Sequence, residues 1–256
     1  MEKLKIVAVT QARVGSTRLP GKVLMKLGNE SLLQLHVRRI KNSKKIDELI
    51  VATTTAEEDA AIVSLVDKTK ANVYRGSVED VLDRFYQALQ GKGADYVVRL
   101  TADCPLIDGS LIDKVIQFTI EHNLDYCSNT LETCYPDGED IEVFRYSALE
   151  KAWNEAKLSS EREHVTPFIW KNSSYRGGAL FKSDNFSEGY SYGHLRLTVD
   201  EETDFILVDT LISKLGIEKT WLEYAEFLEM NNDIKAINSS ITRNEGYSKS
   251  IKKEEK

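Results

Sequence analysis

Short apolar runs alternate with amphipathic stretches through the first half of the chain. Leu4–Val9, Glu48–Thr53, Asn72–Tyr74 and Tyr96–Leu100 read as strands, each a brief β-rich run bounded by polar or turn residues. Between and after them, Ser31–Ile40, Glu57–Thr69, Ser77–Leu89 and Ser110–His122 carry the helical period. In Ser77–Leu89 the apolar Val81, Leu82, Phe85, Ala88 and Leu89 fall on one helical face, with Ser77 as an N-cap. Strands separated by helices of this length predict βαβ units, hence an α/β fold with a mostly parallel central sheet. Ligands of such sheets bind beyond the carboxyl ends of the strands.

The second half is less regular. Ile141–Phe144, Gly178–Phe181 and Leu195–Val199 read as strands; Ser147–Lys157, Ser160–Trp170 and Glu202–Leu215 read as helices. No low-complexity linker or internal repeat divides the chain. The pattern suggests one domain over residues 1–247, with an inserted antiparallel portion at about 129–195. A charged tail, 248–256, is expected to fray.

Composition narrows the partners. The formal net charge is −7, which argues against a general nucleic-acid surface. No apolar run approaches the ~20 residues that a bilayer requires, and no signal-peptide pattern opens the chain. Cys104, Cys127 and Cys134 form no CxxC pair, which suits a reducing cytoplasm better than a disulfide framework or a zinc site. The expectation is a cytoplasmic protein with neither membrane nor nucleic acid as partner.

Against that acidic balance, the segment after the first strand stands out. Gln11-Ala12-Arg13-Val14-Gly15-Ser16-Thr17-Arg18-Leu19-Pro20-Gly21-Lys22 holds three cations and two glycines. Gly15 and Gly21 allow close approach of the backbone to an anion, and successive N–H groups can form an anion-binding concavity. Arg13 and Arg18 offer bidentate forks and Lys22 a point charge. This is neither GxxxxGK[ST] nor GxGxxG. A solvated basic loop would explain any one of these residues, but not the five together, so the loop is read as a polyphosphate site.

Two carboxylates follow strands. Asp103 comes after Tyr96–Leu100, ahead of Cys104-Pro105, and Asp200 comes after Leu195–Val199. Two such carboxylates can converge on one Mg²⁺, a hard cation that takes oxygen ligands. Capping of the next helix is an equal reading for Asp200 and the better one for Asp108; it is weaker for Asp103, where no helix starts at once. Asp204 is a possible further ligand, though more often a helix-face residue. Asp140 and Glu142 flank a strand, and Arg162 and His164 belong to the start of a helix, where an anionic group is favoured. His164 is equally a structural histidine. His36 and His122 look structural or exposed.

QARVGSTRLPGKVL resembles the N-terminal signature of the cytidylyltransferases that activate sugar acids, the KDO and acylneuraminate type, and most closely their SpsF branch. GSVEDVLDRF at Gly76–Phe85, RLTADCPLID at Arg99–Asp108 and YPDGEDIEVF at Tyr135–Phe144 extend the likeness. So do REHVTPFI at Arg162–Ile169, RLTVDEETDF at Arg196–Phe205 and INSSITRNEGYSKS at Ile237–Ser250. The order of these strings covers nearly the whole chain.

The resemblance implies a Rossmann-like nucleotidyltransferase fold, with a smaller antiparallel portion for dimerisation and acceptor binding. It implies that Arg13 and Lys22, assisted by Arg18, hold the CTP phosphates within a loop that includes Ala12, Gly15 and Gly21. Asp103 and Asp200 become the Mg²⁺ ligands and, with Arg13 and Lys22, the catalytic set. Gly76 and Ser77 lie near cytosine, Asp80 and Arg84 shape its pocket, and Thr101 and Ala102 border the ribose. On its own, Arg84 on a helix face would be an exposed charge. The acceptor, a small acidic molecule such as an ulosonic or nonulosonic acid, is expected near Asp140, Glu142, Arg162 and His164. A homodimer is expected. Alternatives are CTP-dependent activation of a phosphate or phosphonate, a metal-dependent glycosyltransferase, and a nucleotide-sensing module.

Overall fold

The computed structural model describes residues 3–254. Parallel strands β1 (Ile6–Gln11), β4 (Glu48–Thr54), β5 (Asn72–Gly76) and β6 (Tyr96–Thr101) form one side of a seven-stranded sheet. The two-residue strands β2 (Lys26–Leu27) and β3 (Glu30–Ser31) make a separate antiparallel pair. β7 (Tyr126–Ser128), β8 (Glu142–Arg145) and β9 (Ser183–Asn185) complete the main sheet in the order β5-β4-β1-β6-β8-β7-β9. β8 runs antiparallel to β6 and β7, and the other pairings are parallel.

Helices cover both faces, which is why the central strands are apolar on both sides. One face packs Ala8, Val98 and Leu100 against α1 (Leu32–Ile40), α2 (Ala60–Asp67), α4 (Gly109–Glu121), α8 (Glu202–Leu215) and α9 (Trp221–Met230). The other packs Val7, Val9 and Val97 against α3 (Val81–Leu89), α5 (Tyr146–Glu155), α6 (Ser159–His164) and α7 (Pro167–Lys171). A short α10 (Asn232–Lys235) leads to α11 (Glu245–Glu254). The mostly parallel α/β architecture is as expected.

Several second-half elements differ from the sequence reading. The expected strand at Gly178–Phe181 lies instead at Ser183–Asn185; Gly177 turns left-handed at φ 79°, and Phe181 makes only an isolated bridge to Ser173. Tyr126–Ser128, too short for a period to show, is a sheet strand. Leu195–Val199 is extended but joins no ladder. It lies along the turn at Asp137 through Asp137 N–H to Leu195 O and Leu197 N–H to Asp137 O, and Val199 N–H donates to Asp103 O. The expected helix Ser160–Trp170 breaks at Val165, whose φ of 71° closes α6 before Pro167 starts α7. The tail expected to fray is helical as far as Glu254, which caps Ser160 at the start of α6; residues 255 and 256 lie outside the described residues.

Candidate active site

The carboxyl ends of β1 and β6 and the end of the 195–200 segment meet above the sheet. Gly21 takes a left-handed φ of 71°, so the chain turns at once into the short 3₁₀ turn that carries Lys22 inward. Val14 O accepts from Ser16 N–H at 2.7 Å and from Gly21 N–H at 3.0 Å, closing the loop upon itself. From outside, buried Asp59 accepts the Val14 N–H at 2.7 Å.

Lys22 is 8% exposed. Its ammonium donates to Asp103 Oδ2 at 3.1 Å, to Asp200 Oδ1 at 2.8 Å and to Val199 O at 2.9 Å. Arg18 Nη2 lies 2.8 Å from the same Asp200 Oδ1, and Arg18 Nη1 lies 3.6 Å from Glu245. The tertiary fold therefore brings Arg18, Lys22, Asp103 and Asp200 into one constellation. Burial lowers the Lys22 pKa, but Asp103 and Asp200 outweigh it and hold the ammonium above its ordinary value. Burial likewise pushes Asp103 up, yet Lys22 and the Thr101 hydroxyl drive it far below the carboxylate range.

Asp200 is fixed from behind. Its Oδ2 accepts from Arg196 Nη2 at 2.8 Å, and its N–H donates to Asp204 Oδ2 at 2.9 Å. Arg196 also binds Asp204 through Nε at 2.9 Å and reaches Asp137. Burial and the Asp140 charge push Asp137 up to about 7, despite Arg243 and Arg196. Sequence reasoning passed over Arg196 and Arg243; nothing in an extended segment tells that its arginine faces three carboxylates.

The remaining candidates form two groups. Ala12 is buried and Arg13 exposed at the loop's start. Arg84, which on its own read as an exposed charge or ion pair, is 3% exposed and donates to Ser77 O at 2.6 Å; burial first, then the nearby Arg13 charge, lower its pKa. Gly76 has no room for a side chain, since a Cβ would stand 2.7 Å from the Tyr74 ring. Asp80 caps α3 at Asp83 N–H, 2.9 Å, and takes Arg162 as its ion-pair partner. Arg162 also donates to Trp153 O and Ala156 O, so it ties α6 to α3 and α5 rather than joining the other acceptor candidates.

Along β8, Asp140 pairs with Arg243, while Glu142 accepts from Arg99, Tyr126 Oη and Thr166 Oγ1. His164 Nε2 meets Ser250 Oγ at 3.0 Å and its ring stands edge-on to Tyr247 of α11. Burial first, then the Arg99 charge, lower its pKa. His36 is structural, its Nδ1–H on Cys104 O and its Nε2 accepting from Thr10 Oγ1, both at 2.8 Å. Asp108 is the α4 N-cap, accepting from Ser110 N–H at 2.7 Å.

Among the described residues no cluster of three or more His, Cys, Asp or Glu side chains is grouped for a metal. Asp103 and Asp200 are a pair sharing one cation, and such an all-oxygen pair fits Mg²⁺ that completes its shell with substrate phosphates and water.

Comparison with known proteins gives the family of the chain. A family model described as cytidylyltransferase matches residues 7–241. An uncharacterised protein of Methanocaldococcus jannaschii, MJ1063, is 42% identical over 241 residues, covering 93% of this chain and 96% of that protein. The spore coat polysaccharide biosynthesis protein SpsF of Bacillus subtilis is 33% identical over 241 residues, covering 89% and 94%. A cytidylyltransferase structure from Leptospira borgpetersenii superposes with a TM-score of 0.86 at 30% identity, covering 94% of this chain and 99% of that one. With the loop cations seated on Asp103 and Asp200 and the match spanning nearly the full length, this chain belongs to the cytidylyltransferase family.

Proposed function

We propose that this cytidylyltransferase transfers CMP from Mg²⁺·CTP to a small acidic acceptor, a sugar acid of the ulosonic or nonulosonic type, for surface glycan synthesis. The observation that carries the reading is the convergence of Lys22 and Arg18 on Asp103 and Asp200 at 2.8–3.1 Å. Cations for a leaving pyrophosphate and carboxylates for a divalent ion must stand that close if both act on one triphosphate.

An acceptor hydroxyl oxygen attacks the α-phosphorus in line. The bond to the β-phosphate oxygen breaks, pyrophosphate leaves with the electron pair, and the hydroxyl proton passes to solvent. Arg13, Arg18 and Lys22 bind the β- and γ-phosphates and neutralise the charge that gathers on the leaving group. Asp103 and Asp200 would hold Mg²⁺, which supplies charge neutralisation at the phosphates. Gly76, Ser77, Asp80 and the buried Arg84 shape the base pocket, with Thr101 and Ala102 at the ribose. Asp140, Glu142 and His164 line the acceptor side. Positioning and electrostatics carry the rate, because displacement at phosphorus needs no covalent help from protein.

The direct test supplies Mg²⁺, each nucleoside triphosphate in turn, and a panel of sugar acids, phosphates and phosphonates, and measures pyrophosphate. Release with CTP and a sugar acid is expected. Release only with a phosphate or phosphonate would move the acceptor class; sugar transfer from a nucleotide sugar without pyrophosphate would overturn the reading. The same reading expects a cytoplasmic homodimer, which light scattering on the purified protein checks.

A further inference from the structure

We infer that Arg18, Lys22, Asp103 and Asp200 form a self-neutralised resting site that a triphosphate and a divalent cation open only together. The inference rests on the proposed function for the identity of the two ligands.

Every donor of the Lys22 ammonium is occupied by Asp103, Asp200 or Val199 O. Asp200 Oδ1 already takes both Lys22 and Arg18. Glu245 is a further carboxylate beside Arg18. A polyphosphate arriving alone therefore meets cations whose charge is matched, and two carboxylates that repel it. A divalent cation arriving alone meets carboxylates whose inner oxygens are covered by an ammonium and a guanidinium. Either ligand alone re-pairs one half of the broken ion pairs and leaves the other half without a partner.

Arriving together, the two ligands let the partners exchange. Phosphate oxygens replace the carboxylates on Lys22 and Arg18, and the freed oxygens of Asp103 and Asp200 receive the divalent cation. Neither side of the broken ion pairs is then left without an opposite charge. The exchange is confined to one side of Asp200, because Arg196 on Oδ2 is itself fixed by Asp204 and Asp137. Asp204 also holds the Asp200 N–H, so the carboxylate stays in place while its inner partners change. Such a site couples the two ligands reciprocally: each strengthens the other by the same factor.

Two binding measurements on the full chain test this. Calorimetry follows CTP with and without Mg²⁺, and electron paramagnetic resonance follows Mn²⁺ with and without CTP; metal–nucleotide association in solution is subtracted. In the native protein each ligand should tighten the other by about tenfold or more. Lys22→Met frees the inner oxygen of Asp103 and leaves Asp200 Oδ1 with Arg18 alone, so Mn²⁺ alone should bind about tenfold tighter than to the native chain; Lys22→Gln repeats the arm in case the methionine misfolds. Asp200→Asn removes the carboxylate shared by Lys22 and Arg18 and leaves Lys22 one acidic partner, Asp103, so metal-free CTP should bind tighter while the gain from Mg²⁺ is lost. Glu58→Gln removes an exposed charge beside Gly15 that touches neither lysine nor aspartate, and should change metal-free CTP binding by less than about twofold. Additive binding in the native protein, or no gain of Mn²⁺ affinity in either Lys22 variant, overturns the inference. Should Lys22→Met gain Mn²⁺ while the native chain binds no nucleotide under any condition, the covered-carboxylate half stands and the proposed function falls.

Discussion

The Asp59 carboxylate holds Val14 by its backbone N–H at 2.7 Å and takes the Thr54 hydroxyl on its other oxygen, although it is only 1% exposed. It braces from outside the part of the loop that Val14 O closes on Ser16 and Gly21. Removing it leaves a buried N–H and a buried hydroxyl unsatisfied. Asp59→Ala should lower stability by about 2–3 kcal/mol and weaken Mg²⁺·CTP binding, read by urea unfolding and calorimetry. A variant with native stability and native CTP affinity would show that the loop needs no brace from Asp59.

Asp103→Asn keeps the shape of the side chain and removes its charge. Turnover should fall by about 10²-fold or more, the scale seen when a single electrostatic contact in a transition state is lost. The far-ultraviolet spectrum should stay close to native, while loss of the ion pair with Lys22 lowers the unfolding midpoint. Turnover within a factor of two of native would take Asp103 out of the reaction.

Arg196 is the counterion of buried Asp204 and a partner of Asp137 and Asp200. Arg196→Met leaves uncompensated buried carboxylates, so unfolding free energy should drop by about 3–5 kcal/mol. Arg196→Lys should recover only part of this, because a point charge cannot span three carboxylates. An Arg196→Lys variant as stable as the native protein would show that the fork geometry contributes nothing.

His36 is held neutral, its pKa lowered to about 4 by burial. The unfolded chain takes up that proton near pH 6.5, so the neutral ring supports folding fully above that pH. The support is lost as pH falls from 6.5 towards 4, at most about 3 kcal/mol. Urea unfolding at pH 7 and pH 4.5 should show a smaller loss for His36→Gln than for the native protein. Parallel losses would assign the acid sensitivity to other groups.

Gly138 has a φ of 112°, and a Cβ there would stand 2.5 Å from Thr198 N. The turn at 137–139 packs backbone to backbone on the segment that ends in Asp200. Gly138→Ala should cost about 2–3 kcal/mol and lower turnover along with stability, because the segment must shift. Gly246→Ala, with open space around its Cβ, is the neutral comparison in thermal unfolding.

The parallel half of the sheet could be read along the chain because β1, β4 and β6 are runs rich in β-branched residues and largely buried on both faces. Its helices carry clean apolar stripes, as in Val81, Leu82, Phe85 and Leu89. The second half resisted that reading for physical reasons. Tyr126–Ser128 is three residues long, too short for any period, and Leu195–Val199 is apolar because it is buried, not because it pairs. Val165 in a left-handed conformation gives no signal beforehand, so one helix became two.

At the site, the sequence alone specified a loop rich in cations and glycine and two aspartates after strands, because those depend on residue type and local order. Tertiary structure decided that Lys22 and Asp200, 178 residues apart, share a hydrogen bond, that Arg196 clamps Asp200 from behind, and that Arg162 serves Asp80. Contacts across such separations arise from how strands and helices stack. A charged side chain's partner is whichever opposite charge the packed fold leaves within reach, and the order of residues does not encode that distance.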